Sequence, residues 1–259
     1  MLNKNIKAVI FDWAGTIIDH GCFGPVAAFQ NTFTHFGIEA SVSECRLPMG
    51  LPKRAHIKAM IENVDISERI LKIKGRNFSE DDIEAMYQYF LSINEDVVLN
   101  HTSLIEGALE TVSWLRSKGI KVGSNSGYGR KLMNRILPIV AKAGYRPDNL
   151  VCGDDLSEGR PSPLMMYRCF ADLGVYPPSS VIKVDDTVPG IIEGISAGTL
   201  TVGITLTGNH TGLNAEELAK LNAKEQDTIH EDAAKSLRQA GAHYVIRHVS
   251  ELPYLIARM

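Results

Sequence analysis

Two rhythms of apolar and polar residues alternate along this chain. Short, mostly apolar runs occur at residues 7–11 (KAVIF), 120–123 (IKVG), 181–184 (VIKV), 200–204 (LTVGI) and 243–247 (HYVIR). Runs of this length, closed by small or acidic residues, read as strands covered on both faces, as in a parallel sheet. Between them the apolar spacing is helical. Strands alternating with helices predict an α/β fold built on a doubly wound parallel sheet. Such sheets bind ligands at the carboxyl ends of their strands, so the polar residues after these runs are candidates for one common site.

One interval breaks the rhythm. Roughly a hundred residues lie between Asp12 and Ser124, far more than a single crossover helix needs. The interval carries helical patterns at residues 25–36, 53–63 and 79–93 and no strand run. It reads as an inserted α-helical cap domain over residues 21–102, leaving a core of residues 1–20 and 103–259. The polar stretch 214–239 predicts a surface helical region, with a break near residues 226–228.

Composition acts by exclusion. With 44% hydrophobic and 22% charged residues over 259 positions, the chain can build an ordinary globular core with an insertion. A net charge of -3 gives no reason to expect a nucleic-acid partner. Cys22, Cys45, Cys152 and Cys169 are far apart in sequence, which argues against a zinc or disulfide framework and suits a reducing cytoplasm. The N-terminal apolar run is too short for a signal peptide and is broken by Asp12. No run approaches the length of a membrane-spanning helix.

Four short segments carry candidate chemistry. Phe11-Asp12-Trp13-Ala14-Gly15-Thr16 puts a carboxylate at a strand end, followed by a tight turn. A strand-end aspartate can also be a plain helix cap. Gly123-Ser124-Asn125-Ser126-Gly127-Tyr128 offers hydroxyls and backbone N–H groups ahead of a helix, a setting that favours anions. Gly159-Arg160-Pro161 holds an arginine suited to paired bonds with phosphate oxygens. Val184-Asp185-Asp186-Thr187 places paired acids after a strand, as a hard cation such as Mg²⁺ requires. In the helical interval, Pro52 suits a helix start and puts Lys53 in the first turn. There the helix dipole disfavours a cation and lowers the lysine's proton affinity, which helps an amine attack an aldehyde. His56, three residues on, shares that helical face and is a candidate proton carrier.

In this order the segments resemble the haloacid dehalogenase (HAD) superfamily of aspartate-nucleophile phosphotransferases, whose core is a Rossmann-like sheet. The resemblance makes Asp12 the nucleophile and assigns phosphate to Ser126 and the Gly127 N–H, with Ser124 or Asn125 as possible sharers. It gives Arg160 the phosphate-neutralising place that most relatives give to lysine, and it makes Asp186 a Mg²⁺ ligand with Asp12. Two departures matter. Most phosphatases of the superfamily carry a proton-donating aspartate two residues after the nucleophile, and here that residue is Ala14. Many members carry a further aspartate four residues after the metal-binding one, and here that residue is Gly190. Asp185 is an expected helper of the metal shell without an assigned bond.

FDWAGT, PMGLPKRAHI, GSNSGY and GRPSP together resemble the phosphonoacetaldehyde hydrolase (phosphonatase) family. That resemblance implies a hydrolase that splits the carbon–phosphorus bond of phosphonoacetaldehyde during 2-aminoethylphosphonate degradation. Lys53 would be the Schiff-base lysine, the Ala14 carbonyl a Mg²⁺ ligand, and Cys22, Met49, His56 and Tyr128 further active-site positions. It also implies a cytoplasmic homodimer with no nucleic-acid or membrane partner. The rival readings are a phosphomonoesterase or sugar-phosphate mutase on the same fold, which Ala14 opposes, and a phosphate-sensing scaffold, which the intact Asp12, Arg160 and Asp186 oppose.

Overall fold

The computed structural model describes residues 6–259. The share of the N-terminal reading that falls on residues 1–5 lies outside them. In chain order the first elements are β1 (Ala8–Phe11), α1 (Phe23–His35), α2 (Val42–Arg46), α3 (Lys53–Glu62), α4 (Val64–Lys74), α5 (Glu80–Leu99) and α6 (Ala108–Ser117). Then come β2 (Lys121–Ser126), α7 (Arg130–Lys142), β3 (Val151–Cys152), α8 (Leu164–Leu173), β4 (Val181–Asp185) and α9 (Val188–Ser196). The chain closes with β5 (Leu200–Ile204), α10 (Ala215–Ala219), α11 (Ala223–Gln239), β6 (Tyr244–Ile246) and α12 (Leu252–Ala257). Two compact units result: Met1–Cys22 with Thr102–Met259, and Phe23–His101.

The first unit is a six-stranded parallel sheet in the order β3-β2-β1-β4-β5-β6. All four residues of β1 and all five of β4 are buried, as a strand covered on both faces requires. The strand order reverses between β1 and β4, and at such a switch point the loops after the two strands diverge and leave a crevice. Asp12 follows β1 there, its N–H bonded to the Val184 carbonyl at 3.0 Å, and Asp185 and Asp186 end and follow β4. The doubly wound parallel sheet expected from the pattern is therefore the observed one.

Three details differ from the sequence reading. The edge strand β3 has two residues, too few to leave a pattern. The strand β2 continues through Ser126, so Ser124 and Asn125 lie inside the sheet instead of in a turn. The break in the polar helical stretch falls between α10 and α11, not at residues 226–228. There the Asn222 side chain accepts from Glu225 N at 3.1 Å and starts α11, while the Gln226 amide donates back to the Leu218 and Leu221 carbonyls.

The second unit is wholly helical among its described residues. Phe29, Phe33, Ile57, Met60, Ile66, Ile70, Met86 and Phe90 fill its interior. Its helices start and stop on local chemistry: capping boxes at Ser41/Glu44 and Ser79/Asp82, an Asn63 side chain capping α4, and Gly75 at φ 71° ending it. No helix among the described residues is long and apolar enough to cross a membrane.

Candidate active site

Around Asp12 the first unit gathers charges that water would normally keep apart. Oxygens of Asp12, Asp185 and Asp186 all lie within 4.8 Å of one another, and all three residues are buried. Burial pushes the Asp12 carboxyl up, with Arg160 pulling it back. Asp186 is pushed far higher, by burial and then by the like charges of Asp12 and Asp185. Burial acts on Asp185 too, but the neighbouring Arg160 and Lys183 hold it below the ordinary carboxylate range. The buried carboxylates here, Asp12, Asp19, Asp185, Asp186 and Glu193, outnumber the two buried cations, Arg160 and Lys183. A divalent cation would offset that excess of negative charge, and an all-oxygen donor set suits a hard ion. The residues present therefore fit a metal of this class.

The turn after β1 shapes the floor. Gly15 has φ +80°, and a Cβ there would lie 2.4 Å from Asp186 Oδ2 and 2.6 Å from Cys22 Sγ, so only glycine serves. Thr16 Oγ1 donates to Asp186 Oδ1 at 3.2 Å, Cys22 Sγ to Asp186 Oδ2 at 3.4 Å, and the Asn209 N–H to the same Oδ2 at 2.7 Å. Thr207 Oγ1 donates to the Gly15 carbonyl at 2.7 Å, which ties the loop after β5 to this turn. Cys22 is buried at φ 54°, unusual for a residue with a side chain. Tyr128 is buried as well, and its phenol is pushed well up by burial and by the nearby Asp19, Cys22, Asp12 and Asp186. It is a hydrogen-bond donor at any working pH.

Ser126 ends β2, and its Oγ accepts from the Tyr128 N–H at 3.1 Å, shaping the turn that exposes Gly127. The two alternatives for phosphate are committed elsewhere. Ser124 Oγ donates to the Asn149 carbonyl at 3.0 Å, and the Asn125 amide is enclosed by Glu193 and Arg160. Arg160 is buried with its Nη2 2.7 Å from Asp12 Oδ1.

Gly190 accounts for the missing aspartate. A Cβ built there would sit 2.0 Å from Asp185 Cγ. The Asp185 carboxylate thus fills the space a side chain at 190 would take. It accepts from the Thr187 N–H at 3.0 Å and from Thr187 Oγ1 at 2.7 Å.

The other candidates lie in the second unit. Lys53 is the first residue of α3, after Pro52, and its Nζ sits 5.6 Å from the centre of the Phe29 ring. His56 turns into the interior, where its ring stacks on Phe29 at 3.7 Å and Nε2 pairs with the Cys45 carbonyl at 2.9 Å. Among the described residues its Nδ1 has no hydrogen-bond partner. Burial, and then the Lys53 charge, lower its pKa well below the usual value, so the imidazole is neutral. Met49 belongs to the apolar interior. Sequence reasoning missed Thr16, Lys183, Glu193 and Asn209. Only Lys183 left a signal: a lysine inside a strand buried on both faces must have a buried partner.

Comparison with known proteins adds an independent line. Residues 6–198 match the haloacid dehalogenase-like hydrolase family. The chain is 42% identical over 261 residues to a phosphonoacetaldehyde hydrolase of Vibrio cholerae, covering 100% of this chain and 96% of that one. It is 41% identical over 249 residues to one of Paraburkholderia phytofirmans, covering 96% and 93%. A crystal structure of a phosphonoacetaldehyde hydrolase-like protein from Oleispira antarctica superposes with a TM-score of 0.96 at 40% identity, over 100% of this chain and 94% of that one.

Proposed function

We propose that this chain, which belongs to the phosphonoacetaldehyde hydrolase family of the haloacid dehalogenase-like hydrolases, splits the carbon–phosphorus bond of phosphonoacetaldehyde to give acetaldehyde and phosphate. One observation carries the choice of this bond over a phosphate ester. The residue two places beyond Asp12 is Ala14, whose methyl group cannot protonate a departing alkoxide, while Lys53 offers an amine instead.

The chemistry needs both. Direct displacement at phosphorus would expel a carbanion. In this reading the Lys53 amine adds to the aldehyde carbon and water leaves, forming a protonated imine. Neutral His56, three residues along α3 with an unpartnered Nδ1, takes and returns the protons of that step. Asp12 then attacks phosphorus. The C–P bond breaks, and its electron pair moves through the new C=C bond onto the imine nitrogen, leaving an enamine. Water hydrolyses the aspartyl-phosphate, and the enamine, protonated on carbon, hydrolyses from Lys53 as acetaldehyde. Arg160, Ser126 and the Gly127 N–H hold the phosphoryl oxygens. Tyr128 and Cys22 donate hydrogen bonds inside the pocket, and Met49 keeps the lysine's surroundings apolar. A Mg²⁺ ion held by Asp12, Asp186 and the Ala14 carbonyl would supply charge neutralisation at the phosphoryl group. The same reading carries a homodimer, checked by sedimentation, and a cytoplasmic location, which suits four buried cysteines that form no disulfide.

Phosphate release from phosphonoacetaldehyde, against a panel of phosphomonoesters, tests the substrate. Borohydride with substrate should inactivate the protein and leave a secondary amine on Lys53, with Lys58 unlabelled. Lys53→Arg keeps the charge but cannot form the imine. A loss of ~4 kcal/mol of transition-state stabilisation would be about a thousandfold in rate. A substantially active Lys53→Arg, together with no borohydride inactivation, would return the protein to phosphomonoester chemistry.

A further inference from the structure

Arg160 has every nitrogen of its guanidinium engaged. Nη2 lies 2.7 Å from Asp12 Oδ1, Nη1 3.3 Å from Asp185 Oδ2 and Nε 3.1 Å from Glu193 Oε2. Lys183, fully buried in β4, has its ammonium 3.0 Å from Asp185 Oδ2 and 3.3 Å from Glu193 Oε2. Asn125 closes the ring of contacts. Its Oδ1 accepts from Arg160 Nη2 at 2.7 Å and from Lys183, and its Nδ2 donates to both Glu193 oxygens at 3.0 and 3.1 Å.

A buried lysine–glutamate pair is a poor way to stabilise a fold, because packed apolar side chains of the same volume usually do as well or better. What it can supply is direction. An arginine among several carboxylates tends to grip one of them with two parallel N–H bonds. Such a grip on Asp12 would engage both oxygens of the group that has to attack. Here Nε is taken by Glu193 and Nη1 by Asp185, so only the Nη2 edge is left for Asp12. Glu193, in turn, is held in place by Lys183 and Asn125.

We propose that Lys183 and Glu193 are positioning residues, which lock the plane of the Arg160 guanidinium so that a single edge faces Asp12 and the phosphoryl group. The proposal rests on Asp12 being the nucleophile. It predicts that both residues act through Arg160, and a double-mutant cycle measures that dependence. Glu193→Gln and Lys183→Met are each made in the native protein and in an Arg160→Lys background. Their kcat/KM for phosphonoacetaldehyde and their affinity for inorganic phosphate with Mg²⁺ are then measured, the latter by calorimetry. Each should cost at least about tenfold in the native background and less than about twofold beside Arg160→Lys. A side chain needed only for folding would cost the same factor in both, and that result would overturn the proposal. Phosphate binding reads the network without any C–P substrate. A native protein inert toward phosphonoacetaldehyde would therefore sink the substrate assignment while the cycle stayed readable.

The native protein supplies a measurement free of folding failure. The Arg160 Nε–H resonance, identified by its loss in Arg160→Lys, should stay in place when phosphate is added, because Nε keeps Glu193 while Nη2 changes partner. A large shift or loss of that signal on adding phosphate would show that Glu193 lets go, and would refute the locked plane.

Discussion

Gly190→Ala sets two effects of opposite sign against each other. Residue 190 lies in α9, where alanine is favoured over glycine by about 1 kcal/mol. By propensity alone the substitution stabilises. The new methyl, however, would stand 2.0 Å from Asp185 Cγ, inside any van der Waals contact. Asp185 must move, and it is no loose surface acid. It holds Thr187 N at 3.0 Å, Thr187 Oγ1 at 2.7 Å, Lys183 at 3.0 Å and Arg160 at 3.3 Å. Breaking a buried charged cluster of this kind costs about 3–5 kcal/mol. Thr187 also caps α9 by accepting from the Gly190 N–H at 3.2 Å, so the helix start loosens as well. The clash wins by about 2–4 kcal/mol, which for a chain of this length lowers Tm by about 4–16 °C. Calorimetry and phosphate release should both report it, with turnover reduced because Arg160 and the acidic cluster shift. The Asp185→Gly background isolates the cause. There Gly190→Ala should be neutral or slightly stabilising, since its collision partner has gone. A Gly190→Ala protein as stable and active as the native one, or an equal loss in both backgrounds, would refute the argument.

Asp186→Ala should abolish Mg²⁺-dependent turnover and leave the fold intact, because its carboxylate supplies one of the three clustered oxygens around Asp12, raised by burial and then by its acidic neighbours; near-native activity at limiting Mg²⁺ would remove it from the metal shell. Ala14→Asp should not raise C–P cleavage, since an enamine leaving group needs no acid at that position, and it should add weak phosphomonoesterase activity; a large gain in C–P turnover would contradict the leaving-group account. The depressed His56 pKa makes stability depend on pH. Below the ordinary histidine pKa of about 6.5 the unfolded chain takes up a proton that the folded one refuses, so stability falls by about 1.4 kcal/mol per pH unit as the medium turns acidic, and is unaffected above pH ~7. Urea melts between pH 7 and 5 should show a steeper loss for the native protein than for His56→Asn, and equal slopes would mean that His56 is protonated inside the fold.

The strands, the inserted run of helices and most candidate residues were legible in the linear chain for a common reason. β1 and β4 are covered on both faces, so burial forces a mostly apolar run, interrupted in β4 by Lys183, with polar residues at its end. Asp12 and Asp186 follow those strands directly, and Lys53 follows a proline that begins a helix, so their settings are local. Family resemblance then supplied the substrate, which no local pattern contains.

Other features depend on residues distant in sequence meeting in space, and only the tertiary structure decided them. Nothing near Ser124 or Asn125 in the chain tells that one is spent on Asn149 and the other on Glu193 and Arg160. Gly190 reads as a missing acid until folding brings the Asp185 carboxylate into the space above it. His56 shares a helix with Lys53, but whether its ring faces water or Phe29 depends on α1. Lys183 and Glu193 look like isolated charges in apolar elements until β4 and α9 pack together around Arg160. Periodicity reports which side of an element is buried, and a side chain's chemistry is set by what it is buried against.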